Sequence, residues 1–166
     1  MLEACRLRAR VRIVHKVLSN PEASLYRPVF EGEYGNLLLD GGRVAAHTYI
    51  YGTAAQRIGL GTGLNFIALS SDGAASDPAD TTLTGELLID GLARVQGAVL
   101  LPTGSGTVSV ISYEFTYTGI LPQIVQKAAL FDALVAGKMA HEILFDAPRT
   151  LNLSDSLEVS FLITLT

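Results

Sequence analysis

The amino-acid sequence predicts an all-β fold, an antiparallel β-sandwich of roughly eight strands with Greek-key or jelly-roll connections and an extended N-terminal arm. Three observations predict it. In TVSVISYEFTYTG, residues 107–119, Ile111, Tyr113, Phe115 and Tyr117 alternate with Ser112, Glu114, Thr116 and Thr118. Period two belongs to a strand with one buried face, because successive side chains leave opposite faces of the pleat. The end of the chain repeats the pattern, with Leu157, Val159, Phe161, Ile163 and Leu165 set against Glu158, Ser160, Leu162, Thr164 and Thr166. Apolar repeats at helix spacing are scarce, and Gly, Pro and Ser-Asp turn signals separate the alternating runs.

Taken in order, residues 1–16 read as a basic N-terminal strand or arm and residues 17–166 as a single β-sandwich domain. Leu7, Ala9, Val11 and Ile13 alternate with Arg6, Arg8, Arg10 and Arg12, and Lys16 follows. The first sixteen residues balance to +4 and the remainder to −8. Three readings fit four arginines on one strand face: an arm docked on an acidic neighbouring subunit, a nucleic-acid contact, or an edge strand guarded against unwanted pairing. The acidic body repels phosphates and disfavours the second. Arg6, Arg8, Arg10, Arg12 and Lys16 are therefore the expected inter-subunit contact.

Residues 19–42 are dense in turn formers, and Leu37-Leu38-Leu39 fits a helical turn or a short strand equally. Val44–Tyr51 alternates loosely. The glycines of 59–63 lead into an apparent strand, Leu64–Ser70, where a phosphate loop requires a helix, and no lysine follows them in Walker spacing. Ser70–Thr82 is the most polar segment; its Asp72, Asp77 and Asp80 suggest a solvated or partner-facing loop, without the twelve-residue calcium pattern. A short helix is expected within 83–95. Val95–Leu101 and 107–119 read as a hairpin around a Pro/Gly-rich connector, and the phase of Val108 and Val110 against Ile111 predicts a β-bulge, or a shift from one sheet to another, near Val110–Ile111. Ile124–Leu134 has helical propensity. Met139–Phe145 alternates as a strand that Pro148 ends. The predicted core is Ile111, Tyr113, Phe115, Tyr117, Ile143, Phe145, Leu157, Val159, Phe161 and Ile163.

Charged residues make up 17% of the chain and hydrophobic ones 49%, against about 25% charged in an ordinary soluble domain. So little charge fits a large two-sheet core or, the favoured reading, a surface covered by neighbouring subunits, since permanent interfaces resemble a core cut in half. Cys5 is the sole cysteine, which excludes an intrachain disulfide, and no signal peptide or membrane span is expected.

Catalytic patterns are missing. His15, His47 and His141 share no metal-ligand spacing, and no nucleophile elbow occurs. Sixteen carboxylates always permit some pair, for example Glu114 with Glu142 across expected neighbouring strands, and no cleft or aromatic platform singles that pair out. No cofactor, metal or small-molecule substrate is expected.

The succession SYEFTYTG (112–119), QKAALFDA (126–133), GKMAHEILFD (137–146) and LNLSDSLEVSFLITL (151–165) resembles structural proteins of tailed bacteriophages. LGTGLNFIALSSDG (60–73), ADTTLTGEL (79–87) and Arg94 resemble them too, so the likeness covers about residues 58–166. Lys127 and Ala129 depart from it, standing where such proteins often carry an acidic residue and a glycine. The resemblance implies a non-enzymatic virion component present in many copies: a capsid-associated or decoration protein, or a tail or fibre subunit. Its implied partners are copies of itself and other phage structural proteins such as the major capsid protein, with no nucleic acid or membrane. It also implies a strand, not a helix, over 124–131. A glycan-binding β-sandwich, using exposed aromatics and the 72–80 aspartates, is the alternative from another class.

Overall fold

The computed structural model describes residues 7–20, 25–35, 37–38, 63–101 and 108–165. They form two antiparallel five-stranded sheets packed face to face. Sheet A has the order β2-β1-β10-β7-β6 and sheet B the order β3-β9-β8-β4-β5. The strands are β1 Leu7–Asn20, β2 Leu25–Gly35, β3 Leu37–Leu38, β4 Phe66–Ser70, β5 Val95–Gln96, β6 Ala98–Leu100, β7 Val108–Thr116, β8 Gln123–Phe131, β9 Met139–Leu151 and β10 Ser156–Leu165. The chain changes sheet between β2 and β3 on one side and between β5 and β6 on the other. Gly97 makes the second corner, where a Cβ would stand 3.0 Å from Ile111 Cγ2 and from the Ser112 carbonyl. On the first side Arg149 of β9 stacks 3.3 Å above the Phe30 ring of β2 and donates to the Tyr34 hydroxyl at 2.9 Å.

The two alternating runs supply the sheet A half of the core. Ile111 and Phe115 of β7 and Leu157, Val159 and Phe161 of β10 are buried, each such side chain contributing about 1.5–3 kcal/mol. Sheet B answers with Ile67, Leu69, Val125, Ala128, Leu130, Ile143 and Phe145. Tyr113 follows the inward line yet is 38% exposed. β6 ends opposite Ser112, so Tyr113 lies beyond its cover.

Several expectations change. Leu7–Asn20 is not a free arm: it is an internal strand paired to β10 from Leu7 to Lys16 and to β2 on its other side, with Val11 and Ile13 fully buried. The strand crosses the 16/17 boundary, and hydrophobic burial of its even-spaced apolar set is what holds it. No bulge separates Val110 from Ile111; β7 pairs with β10 in unbroken register from Val108 to Thr116. The out-of-phase Val110 faces outward instead, opposite Leu162 and Leu100. Ile124–Phe131 is strand, as the resemblance implies, and Leu37–Leu38 is a strand. No helix forms among the described residues, 83–95 included. β9 continues through Pro148 to Leu151. The β8–β9 register shifts between Val125 and Lys127, and Pro148 falls in that interruption, where its missing N–H costs no ladder bond. Val44–Tyr51, the glycines of 59–62, Cys5 and His47 lie outside the described residues.

Candidate functional site

Three surfaces carry the features from which a function can be argued: the outer face of sheet A, the outer face of sheet B, and the end of the sandwich where β7 passes to β8 and β9 to β10.

The outer face of sheet A gathers the basic residues of β1. Arg10 donates to Glu33 at 2.8 Å, and Arg12 donates twice to Glu31, at 2.9 and 2.7 Å. That pairing holds the Arg12 guanidinium above its ordinary pKa. Lys16 sits 3.0 Å from both Glu114 and Glu158. Burial works against its charge, but these two hydrogen bonds outweigh burial and raise its pKa. Glu114 is lowered by the Ser156 hydroxyl and, against partial burial, by Lys16. Arg8 takes its place in the β1 register opposite Thr164, and Arg6 lies outside the described residues. Acidic partners within the chain are thus supplied to Arg10 and Arg12 by β2 and to Lys16 by β7 and β10. Beside this network a hollow of about 550 Å³ is lined by Gln96, Gly97, Ala98, Ser112, Tyr113, Glu114 and Glu158. Asp72, Asp77 and Asp80 do not reach it.

Sheet B turns the opposite kind of face outward. Ala68, Ala129, Phe131 and Met139 form a second apolar cluster there with Leu83, all buried. Residues 71–94 bind across this face. Leu87 N–H donates to the Leu69 carbonyl at 2.8 Å, and a bridge pairs Ser70 with Glu86. Arg94 stacks 3.5 Å from the centre of the Phe131 ring while Glu86 takes two of its hydrogen bonds, at 2.9 and 2.7 Å. At the root of the segment Lys127 Nζ lies 2.9 Å from Asp72 Oδ2 and 2.9 Å from Glu142 Oε1. Burial opposes the Lys127 charge; the two carboxylates more than compensate and raise its pKa. Asp72 is lowered by Lys127 and by the Ala74 N–H.

The aspartate loop therefore divides. Asp72 turns to Lys127, whereas Asp77 and Asp80 shape an exposed turn: Asp77 N–H donates to Asp80 Oδ2 at 2.8 Å and Ala79 N–H to Asp77 Oδ1 at 2.8 Å. Among the described residues no three His, Cys, Asp or Glu side chains are grouped to hold a metal ion. Glu114 and Glu142 are not neighbours, since β7 belongs to sheet A and β9 to sheet B; both face outward, on opposite sides of the sandwich. His141 is inside, on the β9 line that carries Ile143, and burial lowers its pKa to about 4.

The end of the sandwich was not singled out by motif. Its loops are tied together: Thr118 N–H donates to the Asp90 carbonyl at 3.0 Å, Ser154 N–H to Tyr117 O at 2.8 Å and Tyr117 N–H to Asp155 O at 2.8 Å. The Tyr117 hydroxyl donates to the Leu121 carbonyl. Gly91, at φ +81°, permits the approach, because a Cβ there would lie 2.1 Å from the Thr116 oxygen. On this hydrogen-bonded base Leu88, Ile89, Ile120, Leu121 and Leu153 stand exposed, Ile120 at 87% and Leu121 at 73%. Ile89, Ile120 and Leu121 border one hollow of about 480 Å³. The legible signal was adjacency: two large aliphatics in succession, Leu88-Ile89 and Ile120-Leu121, each beside a turn.

No protein-family profile matches the chain. No curated protein matches it either.

Proposed function

We propose that the chain is a non-enzymatic structural subunit of a tailed-phage particle, a capsid-associated or decoration protein that packs against copies of itself and other virion proteins. The observation that carries the reading is the apolar end face built on hydrogen-bonded loops. Patches of large aliphatics on a rigid base mark protein contacts, because their burial releases ordered water at little conformational cost. The low charge content and the resemblance over residues 58–166 support the same role. Many modest contacts repeated in a lattice sum to durable attachment. Antibody labelling of purified particles by electron microscopy tests it: regular labelling at the head surface is expected, regular labelling of tail or fibres moves the chain to that part, and particles free of the protein contradict the proposal.

The hollow beside Tyr113, flanked by Glu114 and Glu158, favours a second reading, a glycan-binding module. Sugar binding on a glycan array that is abolished by Tyr113→Ala supports that reading instead.

A further inference from the structure

We propose that Lys127 and Asp72 become joined by an isopeptide bond that the fold itself makes, with Glu142 carrying the proton. This inference is independent of the virion reading.

The three residues come from neighbouring parts of sheet B. Lys127 lies in β8, Asp72 follows the end of β4 by two residues, and Glu142 lies in β9. Ser70 pairs with Lys127 and Ala129 with Glu142, so the ladder itself brings the groups together on the covered outer face. The Lys127 side chain is 3% exposed and that of Glu142 1%. Nζ is 2.9 Å from Asp72 Oδ2 and 2.9 Å from Glu142 Oε1. Asp72 Oδ1 accepts the Ala74 N–H at 3.3 Å, which fixes the carboxylate plane. Glu142 Oε2 is buried with no hydrogen-bond partner among the described residues. A purely structural ion pair has no use for that orphaned oxygen, and leaving it unmade is costly; a proton carrier between amine and acid uses both oxygens.

The step balances without any added reagent. The Lys127 ammonium gives one proton to Glu142, and the freed amine attacks Asp72 Cγ. The N–C bond forms and the bond from Cγ to Oδ2 breaks. Oδ2 leaves as water with the proton returned by Glu142 and a second from the attacking nitrogen, whose last hydrogen stays on the amide. Oδ1 remains as the amide oxygen on the Ala74 N–H. One positive and one negative charge disappear together. In water the equilibrium opposes such a condensation, but here the reactants are held at contact, which replaces a bimolecular encounter. Asp72, whose side chain is 23% exposed, leaves a way out for the water. The product ties the root of the 71–94 segment to β8 covalently, so that this cover cannot peel from sheet B.

Intact mass of the full chain under denaturing conditions, followed at neutral pH until it stops changing, decides the matter. The expected mass is one water below that of the sequence, with trypsin unable to cleave after Lys127 and the Asp72 and Lys127 peptides recovered as one species. Asp72→Asn should reach the same final product by losing ammonia, while Glu142→Gln should keep the unreacted mass with its strands intact by circular dichroism. An unreacted mass in the folded wild type overturns the proposal and leaves an ion pair. Loss of water with Lys127 still cleavable also overturns it, since that marks a succinimide at Asp72-Gly73 or another Asp-Gly pair.

Discussion

The two outer faces of the sandwich use the same charged chemistry in opposite surroundings. On sheet A, Arg10 with Glu33 and Arg12 with Glu31 stand in water, their side chains between 43% and 68% exposed. On sheet B, Lys127 and Glu142 are buried on the outer face that also carries Phe131 and Met139. Exposed pairs gain little, because solvent screens them and two long side chains must be held still. Buried partners gain little as a pair too, yet breaking one strands a charge in a dry place. The difference lies in what is lost by removal.

The largest expected effect follows from that asymmetry. Lys127→Met should destabilise the fold by at least about 3 kcal/mol in urea unfolding, because it leaves buried Glu142 and neighbouring Asp72 without the group that both contact, whether that contact is ionic or covalent. A loss under about 1 kcal/mol would mean that sheet B's outer face is wet and the contrast false.

Acid should weaken the core between the faces. His141 is neutral in the fold down to about pH 4, whereas an unfolded histidine binds its proton near 6.5. Between those values the unfolded chain holds the proton that the folded one refuses, so stability falls as pH drops from about 6.5 to about 4, by about 3 kcal/mol in all. Unfolding midpoints across that range check it, and His141→Phe should flatten the slope. Below it, Glu114 and Asp146, both with lowered pKa, lose their contribution as they protonate, so the decline continues.

A middle case sharpens the comparison. Arg94→Ala removes a two-bonded Glu86 pair and the stack on Phe131 at a site whose side chains are 11% and 18% exposed, and should cost about 2 kcal/mol in urea unfolding. The smallest effect is expected on sheet A. Arg10→Ala or Arg12→Ala should each change stability by less than about 1 kcal/mol, a difference that molar salt erases.

The same contrast explains what the sequence made legible. β7 and β10 turn an apolar face to the core and a polar face outward, so their alternation declares them strands. β8 is covered on both sides: Ala128 and Leu130 face the core while Lys127, Ala129 and Phe131 lie under residues 71–94. Its apolar run is continuous, and periodicity alone cannot tell such a strand from a helix; only the resemblance pointed to the strand. The arginines of β1 were visible, but their partners Glu31 and Glu33 sit on a strand whose pairing no local pattern announces. Lys127 was visible only as a departure from the phage pattern, and what it meets is set by Asp72, just past β4, and Glu142 of β9. Ile120 and Leu121 needed the hydrogen-bonded loops around Tyr117 before their exposure acquired meaning.

The central claim is that the hydrogen-bonded apolar end exists to meet other chains. Sedimentation velocity of the purified protein at micromolar concentration, beside an Ile120→Asp/Leu121→Asp variant, tests it most directly. The account predicts a defined oligomer for the wild type and a folded monomer for the variant. A wild type that sediments as a monomer, or an oligomer unchanged by both aspartates, would contradict it.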